Sequence, residues 1–147
     1  MVLDLFKALQ SPGGFGAAAL LMKSAAVTFV DAPASYYAEE RRPDLFEHAS
    51  VAYKTVSVNS LSAMPGTKQL EKDLSKWEQK LDAGEVLPAI ITTPSAMILD
   101  GHHRVKVLKN RGASFVRIGE LRPHSGYRFE IGQDAVSSRT IVNIVPE

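Results

Sequence analysis

Leu99-Asp100-Gly101-His102-His103-Arg104 is the stretch on which the reading of this chain turns. An apolar run from Ala96 to Leu99 leads into it and reads as a strand. After it, apolar Val105 and Leu108 alternate with charged Lys106, Lys109 and Arg111 as on an amphipathic helix, which Gly112 stops. Asp100 is expected to cap that helix and Gly101 to make the tight turn. A strand passing through such a turn points the helix's first amides, and the positive end of its dipole, beyond the strand edge, which makes the turn a candidate anion site. The residue types suit that role. Gly101 lets backbone approach a ligand closely, His102 and His103 donate hydrogen bonds or shuttle a proton near neutral pH, and Arg104 offers two parallel N–H bonds to a phosphate. Asp100 is the odd member, since a carboxylate repels phosphate unless it holds a metal ion or takes a proton from a substrate hydroxyl. Asp100 and His103 are therefore the candidate catalytic residues, and Gly101, His102, His103 and Arg104 the candidate ligand-binding ones. Capping and turn formation account for Asp100 and Gly101 equally well with no ligand at all. Adjacent histidines point in different directions on a helix, so no metal site is assigned.

Working outward, Leu87-Pro88-Ala89-Ile90-Ile91-Thr92-Thr93 reads as a strand that Pro94-Ser95 turns back into Ala96 to Leu99, a β-hairpin. Upstream, Leu70, Leu74, Trp77 and Leu81 make one apolar stripe on a helix ended by Gly84, which places Trp77 in the core. Lys72, Lys76 and Lys80 line the other side as a solvated face. Residues from Tyr53 to Val58 alternate with the period of a strand, closed by Asn59 to Gly66. Downstream, Phe115 to Ile118 returns as a strand, and Tyr127 to Ile131 and Thr140 to Val145 extend the sheet or pair with each other. The fold class is α+β, a small mixed sheet with packed helices.

The first third is read differently. Leu3 to Leu9 form a short helix, Ser11-Pro12-Gly13-Gly14-Phe15-Gly16 a linker, Ala17 to Leu21 a helical piece and Ala26 to Val30 a strand; between Asp31 and His48 the run Tyr36 to Pro43 is a mixed-charge surface helix or loop. The glycine linker lacks the Gly-Lys-Ser/Thr sequel of a phosphate loop. Residues 1–53 are thus an extension packed on the core, and 54–147 the main domain. With 45% hydrophobic and 22% charged residues, 147 residues make an ordinary globular chain that needs no staple. The absence of cysteine excludes thiol catalysis and thiolate zinc sites and fits the cytoplasm. Seventeen Lys+Arg against 16 Asp+Glu, a net +1, is not the charge of a general nucleic-acid binder. Phe15 to Val30, interrupted by Lys23 and Ser24, is too short to span a bilayer and has no basic leader, so no membrane partner is expected.

From Lys54 to Ile118, the order amphipathic helix, apolar hairpin, Ile98-Leu99-Asp100-Gly101-His102-His103-Arg104 and helix resembles the ParB and sulfiredoxin superfamily. In ParB proteins a Gly-Glu-Arg-Arg helix start holds a nucleoside triphosphate; Gly101 and Arg104 match it, while His102 and His103 replace the Glu and the first Arg. His102 stands where sulfiredoxins carry their reactive cysteine, which excludes that reductase chemistry. The motif is most similar to the Asp-Gly-x-His-Arg turn of the superfamily's ADP-dependent free serine kinases, matched by Asp100, Gly101, His103 and Arg104. Those kinases also use an acidic residue where this chain has Ser60-Leu61-Ser62-Ala63-Met64-Pro65-Gly66, with Glu71 the nearest carboxylate downstream. The resemblance implies a nucleotide ligand (ADP, ATP or CTP), with Mg²⁺ as companion ion, and phosphoryl transfer or nucleotide hydrolysis with Asp100 as base or metal ligand and His103 and Arg104 on the phosphates. Two alternatives stay open. One is a non-catalytic binding or structural module of a larger assembly, such as that of a mobile element, joined through the apolar N-terminal third. The other is a ParB-like nuclease binding nucleic acid along Lys72, Lys76 and Lys80.

Overall fold

The segment Phe115–Pro123 shows the two-residue period of a sheet covered on both faces: Val116, Ile118 and Glu120 are buried toward one side, Leu121 toward the other. A computed structural model describes residues 17–21, 26–32, 42–63, 74–133 and 140–147. The elements are β1 (Ala17–Leu21), β2 (Ala26–Val30), α1 (Pro43–Glu47), β3 (Ala49–Ser57), β4 (Ser62–Ala63), α2 (Ser75–Asp82), β5 (Leu87–Pro88), β6 (Ile90–Thr92), β7 (Met97–Asp100), α3 (His102–Asn110), β8 (Phe115–Pro123), β9 (Tyr127–Gln133) and β10 (Thr140–Pro146). The central sheet has the order β3-β8-β6-β7-β4, with β3/β8 and β6/β7 antiparallel and β6/β8 and β4/β7 parallel. The expected α+β mixed sheet is therefore present, and the hairpin before Asp100 is β6–β7.

Two clusters of buried side chains lie on the sheet. One joins Phe29, Leu87, Ile90, Ile98, Val105, Leu108 and Ile118, with Trp77 and Leu81 of α2 packed against it. The other joins Leu45, Ile91, Leu99, Leu121 and Val142 beneath α1 and the β9–β10 ribbon. Each fully buried Leu, Ile or Phe adds roughly 1.5–3 kcal/mol. Arg42 ties the ribbon to α1 by donating from Nη2 to Val142 O at 3.0 Å and Asn143 Oδ1 at 2.8 Å. β9 and β10 pair with each other, one of the two arrangements their sequences allow.

Several expectations need correction. Ala17–Leu21 is a strand, not a helix: it pairs antiparallel with β2 from Ala17↔Val30 to Leu21↔Ala26. Alanine and leucine favour helix locally, but five residues are too few to hold one in water, so pairing with β-branched Val27, Thr28 and Val30 decides. The Leu87–Thr93 strand is two. β5 joins β2 in parallel, while β6 joins β7 and β8 in the central sheet. Strand β3 starts at Ala49 and runs without interruption through Tyr53 and Lys54. Helix α2 begins at Ser75 with Leu74 as its cap, and Trp77 is half-buried, not enclosed. Leu70, Lys72 and Glu71, the helix over Leu3 to Leu9 and the Ser11–Gly16 linker lie outside the described residues. Gly84 and Gly112 end their helices as expected, at φ of +72° and +81°.

Glu120, buried on β8, accepts hydrogen bonds from Lys54 Nζ at 2.9 Å and from Arg122 Nε. These partners, Lys54 first, hold its carboxyl below the usual range against the opposing effect of burial. Its charge therefore stabilises the fold above its unfolded-state pKa, and that contribution disappears as pH falls through the lower folded-state value. Glu120→Gln should lower unfolding free energy at pH 7 by about 1–3 kcal/mol, the lower end reflecting half-exposed partners. Urea melts should show the gap to wild type closing below about pH 4, near the unfolded glutamate pKa; a gap independent of pH would contradict this role.

Candidate phosphate-binding turn

Strand β7 delivers Asp100 to the edge of the sheet, in register with Ile91. The next residue turns the chain into α3. Gly101 occupies the N-cap of that helix at φ +112° and ψ 17°, a conformation that only glycine adopts without strain. Asp100 is thus the last residue of a strand and does not occupy the cap position expected of it. A side chain at that position would have to take the left-handed backbone that the strand-to-helix reversal imposes.

Arg104 lies one turn into α3 and does not face solvent. It is 2% exposed, with Nη2 3.7 Å from Asp100 Oδ2 and its Cζ 5.2 Å from the centroid of the Trp77 ring. Gly101 makes room for it: a Cβ there would stand 2.7 Å from Arg104 Nη2 and 2.8 Å from Ile90 Cδ1. Arg104 Nε and Nη2 have no hydrogen-bond acceptor among the described residues. Burial lowers the Arg104 pKa from its ordinary value, and the Asp100 carboxylate partly opposes that. Guanidinium nevertheless stays charged in proteins, so the turn encloses a cation with unused donors.

His102 and His103 sit half-buried on the first turn of α3, and both already have interaction partners. All five residues expected at the site are therefore gathered at one strand-to-helix junction. Val105 and Leu108 face the core as read from sequence, and Lys106 and Lys109 are exposed. Arg111 folds back onto α2 instead, donating to Asp82 Oδ1 at 2.8 Å. Among the described residues, no cluster of three or more His, Asp or Glu side chains is placed to hold a metal ion. Nor is any described helix long and apolar enough to cross a membrane.

Sequence reading missed the upstream half of the junction. Trp77 carries Lys76 Nζ at 5.1 Å and Lys80 Nζ at 5.9 Å from its ring centroid, besides Arg104. Lys76 is exposed and Lys80 half-buried, in keeping with a solvated face, but both also lie against the indole, and Lys80 is 3.7 Å from Glu85. The signal for Lys80 was the spacing, since a lysine three residues after a tryptophan lies beside its ring on a helix, whereas the adjacent Lys76 gave none. A separate apolar cleft of about 400 Å³, lined by Thr93, Met97, Phe129, Ile131 and others, lies at the opposite end of β7 and includes none of the turn residues.

The chain is similar to the pNOB8-like ParB N-domain. Two solved structures of that domain match with TM-scores of 0.46 and 0.43 at 19% and 20% identity. They cover 54% and 50% of this chain, and the match spans 32% and 28% of theirs, about a third of their length. No protein-family model and no curated protein matches the chain. The likeness to serine kinases rests on the Asp-Gly-x-His-Arg motif alone.

Proposed function

We propose that this domain is a binding module for a phosphate-bearing ligand, a nucleotide in the first instance, held where β7 turns into α3. The observation that carries this reading is Arg104, a buried cation whose Nε and Nη2 lack acceptors among the described residues, at the N-terminus of a nine-residue helix. A buried charged donor left without an acceptor costs free energy, and phosphate oxygens would supply both the acceptors and the counter-charge. The same group would meet the positive end of the α3 dipole. The motif resemblance, in which Gly101 and Arg104 match residues of nucleotide-holding turns, points the same way. Asp100 is buried beside Arg104 as its counter-ion, which favours binding over a role as general base.

Calorimetry with inorganic phosphate, pyrophosphate, ADP, ATP and CTP, with and without Mg²⁺, tests the proposal. A ligand at a hundred times its Kd should raise stability by roughly 2.7 kcal/mol by mass action. Arg104→Ala should weaken binding at least tenfold, since charge-assisted bidentate contacts are the strong ones. Equal affinity of the variant and wild type would exclude the site.

A further inference from the structure

Among the described residues Arg104 Nε and Nη2 have no acceptors, yet the guanidinium has a defined place, and the indole of Trp77 lies against it. The two residues come from different helices, α2 and α3, joined through the hairpin. The ring centroid is 5.2 Å from Arg104 Cζ, within the range at which a cation is drawn to an aromatic face. On the other flank is the backbone of Gly101, so close that a Cβ would stand 3.2 Å from Nε and 2.7 Å from Nη2. Asp100 at 3.7 Å is beyond hydrogen-bonding distance and supplies charge without direction.

We propose that Trp77 is a positioning residue for the anion site: its π face fixes the plane of the Arg104 guanidinium so that Nε and Nη2 stay available for a phosphate. This rests on the reading of the turn as a phosphate site and adds to it the element that orients the anchor. The attraction is strongest for tryptophan among the aromatic residues and grows where the cation is desolvated, as Arg104 is and Lys76 and Lys80 are not. An indole also accepts a cation without consuming its N–H donors, which a carboxylate or carbonyl in the same place would do. Trp77 therefore holds the guanidinium while leaving it chemically unspent.

Two substitutions separate this from simple packing. Trp77→Phe keeps an aromatic face, and Trp77→Leu keeps apolar bulk without one. Inorganic phosphate and pyrophosphate affinities should fall roughly 3- to 30-fold in Trp77→Leu, the span a cation–π contact represents, and by less than about threefold in Trp77→Phe. Leu81→Ala, which loosens α2 on the same cluster without removing the ring, should leave affinity unchanged at a temperature where all variants are folded. Equal loss in the Leu and Phe variants, or no loss in either, overturns the proposal. A second readout needs no ligand. In the free protein the Arg104 δ and ε protons should show upfield ring-current shifts that Trp77→Leu abolishes and Trp77→Phe retains; their absence in wild type overturns the positioning role. Intact ring-current shifts with no phosphate binding would instead leave the Trp77–Arg104 contact standing and remove the anion reading itself.

Discussion

Gly101→Ala is expected to destabilise the protein by about 2–4 kcal/mol and to remove phosphate binding, because two independent penalties fall on one methyl group. The first is conformational. An alanine at φ +112° sits outside the regions open to L-residues, and the helix behind it leaves no freedom to relax. The second is steric, since the new Cβ would meet Arg104 Nη2 at 2.7 Å and Ile90 Cδ1 at 2.8 Å. Ile90 is fully buried in the central sheet, so the guanidinium is the group that must give way, moving off the Trp77 ring. Gly126→Ala isolates the first penalty: Gly126 has φ +88° and nothing within 4 Å of its would-be Cβ. Thermal melts should show a drop of about 5–15 °C for Gly101→Ala and only a few degrees for Gly126→Ala. Similar melting temperatures for the two variants would mean that Arg104 does not depend on the space at Gly101.

Asp100→Asn should move stability and affinity in opposite directions. Asp100 is 7% exposed and, among the described residues, pairs with a guanidinium buried still more deeply. Replacing it by an amide leaves Arg104 without its counter-ion, at an expected cost of about 1–3 kcal/mol in the unliganded protein. A bound phosphate no longer competes with the carboxylate for that guanidinium, nor feels its repulsion, so affinity for inorganic phosphate should rise roughly tenfold. The two effects belong to one thermodynamic cycle, because the ligand restores the negative charge that the mutation removes. Paired measurements of melting and calorimetric affinity check both signs. A variant that is less stable and also binds phosphate more weakly would place Asp100 on the ligand's side of the site, as a base or metal ligand would be.

How far the sequence led differs from element to element. The β6–β7 hairpin, the glycine after Asp100 and the amphipathic pattern of α3 were legible because each is a local signal: alternation, a turn residue, a helical stripe. Ala17–Leu21 was not, since its strand exists only through pairing with β2, which local propensity does not report. The split between β5 and β6 was equally hidden, as both halves are apolar and partnership alone separates them. At the site, residue types suggested an anion-binding turn, but the orientation of Arg104 was invisible. That orientation depends on Trp77, distant in sequence and read as core because its spacing fits a buried stripe. Gly101 was valued for letting a ligand approach, whereas the group it admits is the protein's own guanidinium.

The junction at Ala89 carries a mechanical meaning. Ala89 is fully buried, its N–H bonds to Val30 O at 3.2 Å, and on either side of it the chain belongs to different sheets. Pro88 is paired with the N-terminal hairpin, while the Ile90 side chain abuts the space in which Gly101 and Arg104 meet. A hinge placed there would have to shear a backbone hydrogen bond and drag a core isoleucine with it. The β1–β2 pair and the strand that borders Gly101 and Arg104 are thus joined at Ala89 by a buried, hydrogen-bonded residue and not by a free linker, so the two sheets share one continuous, rigidly held stretch of chain.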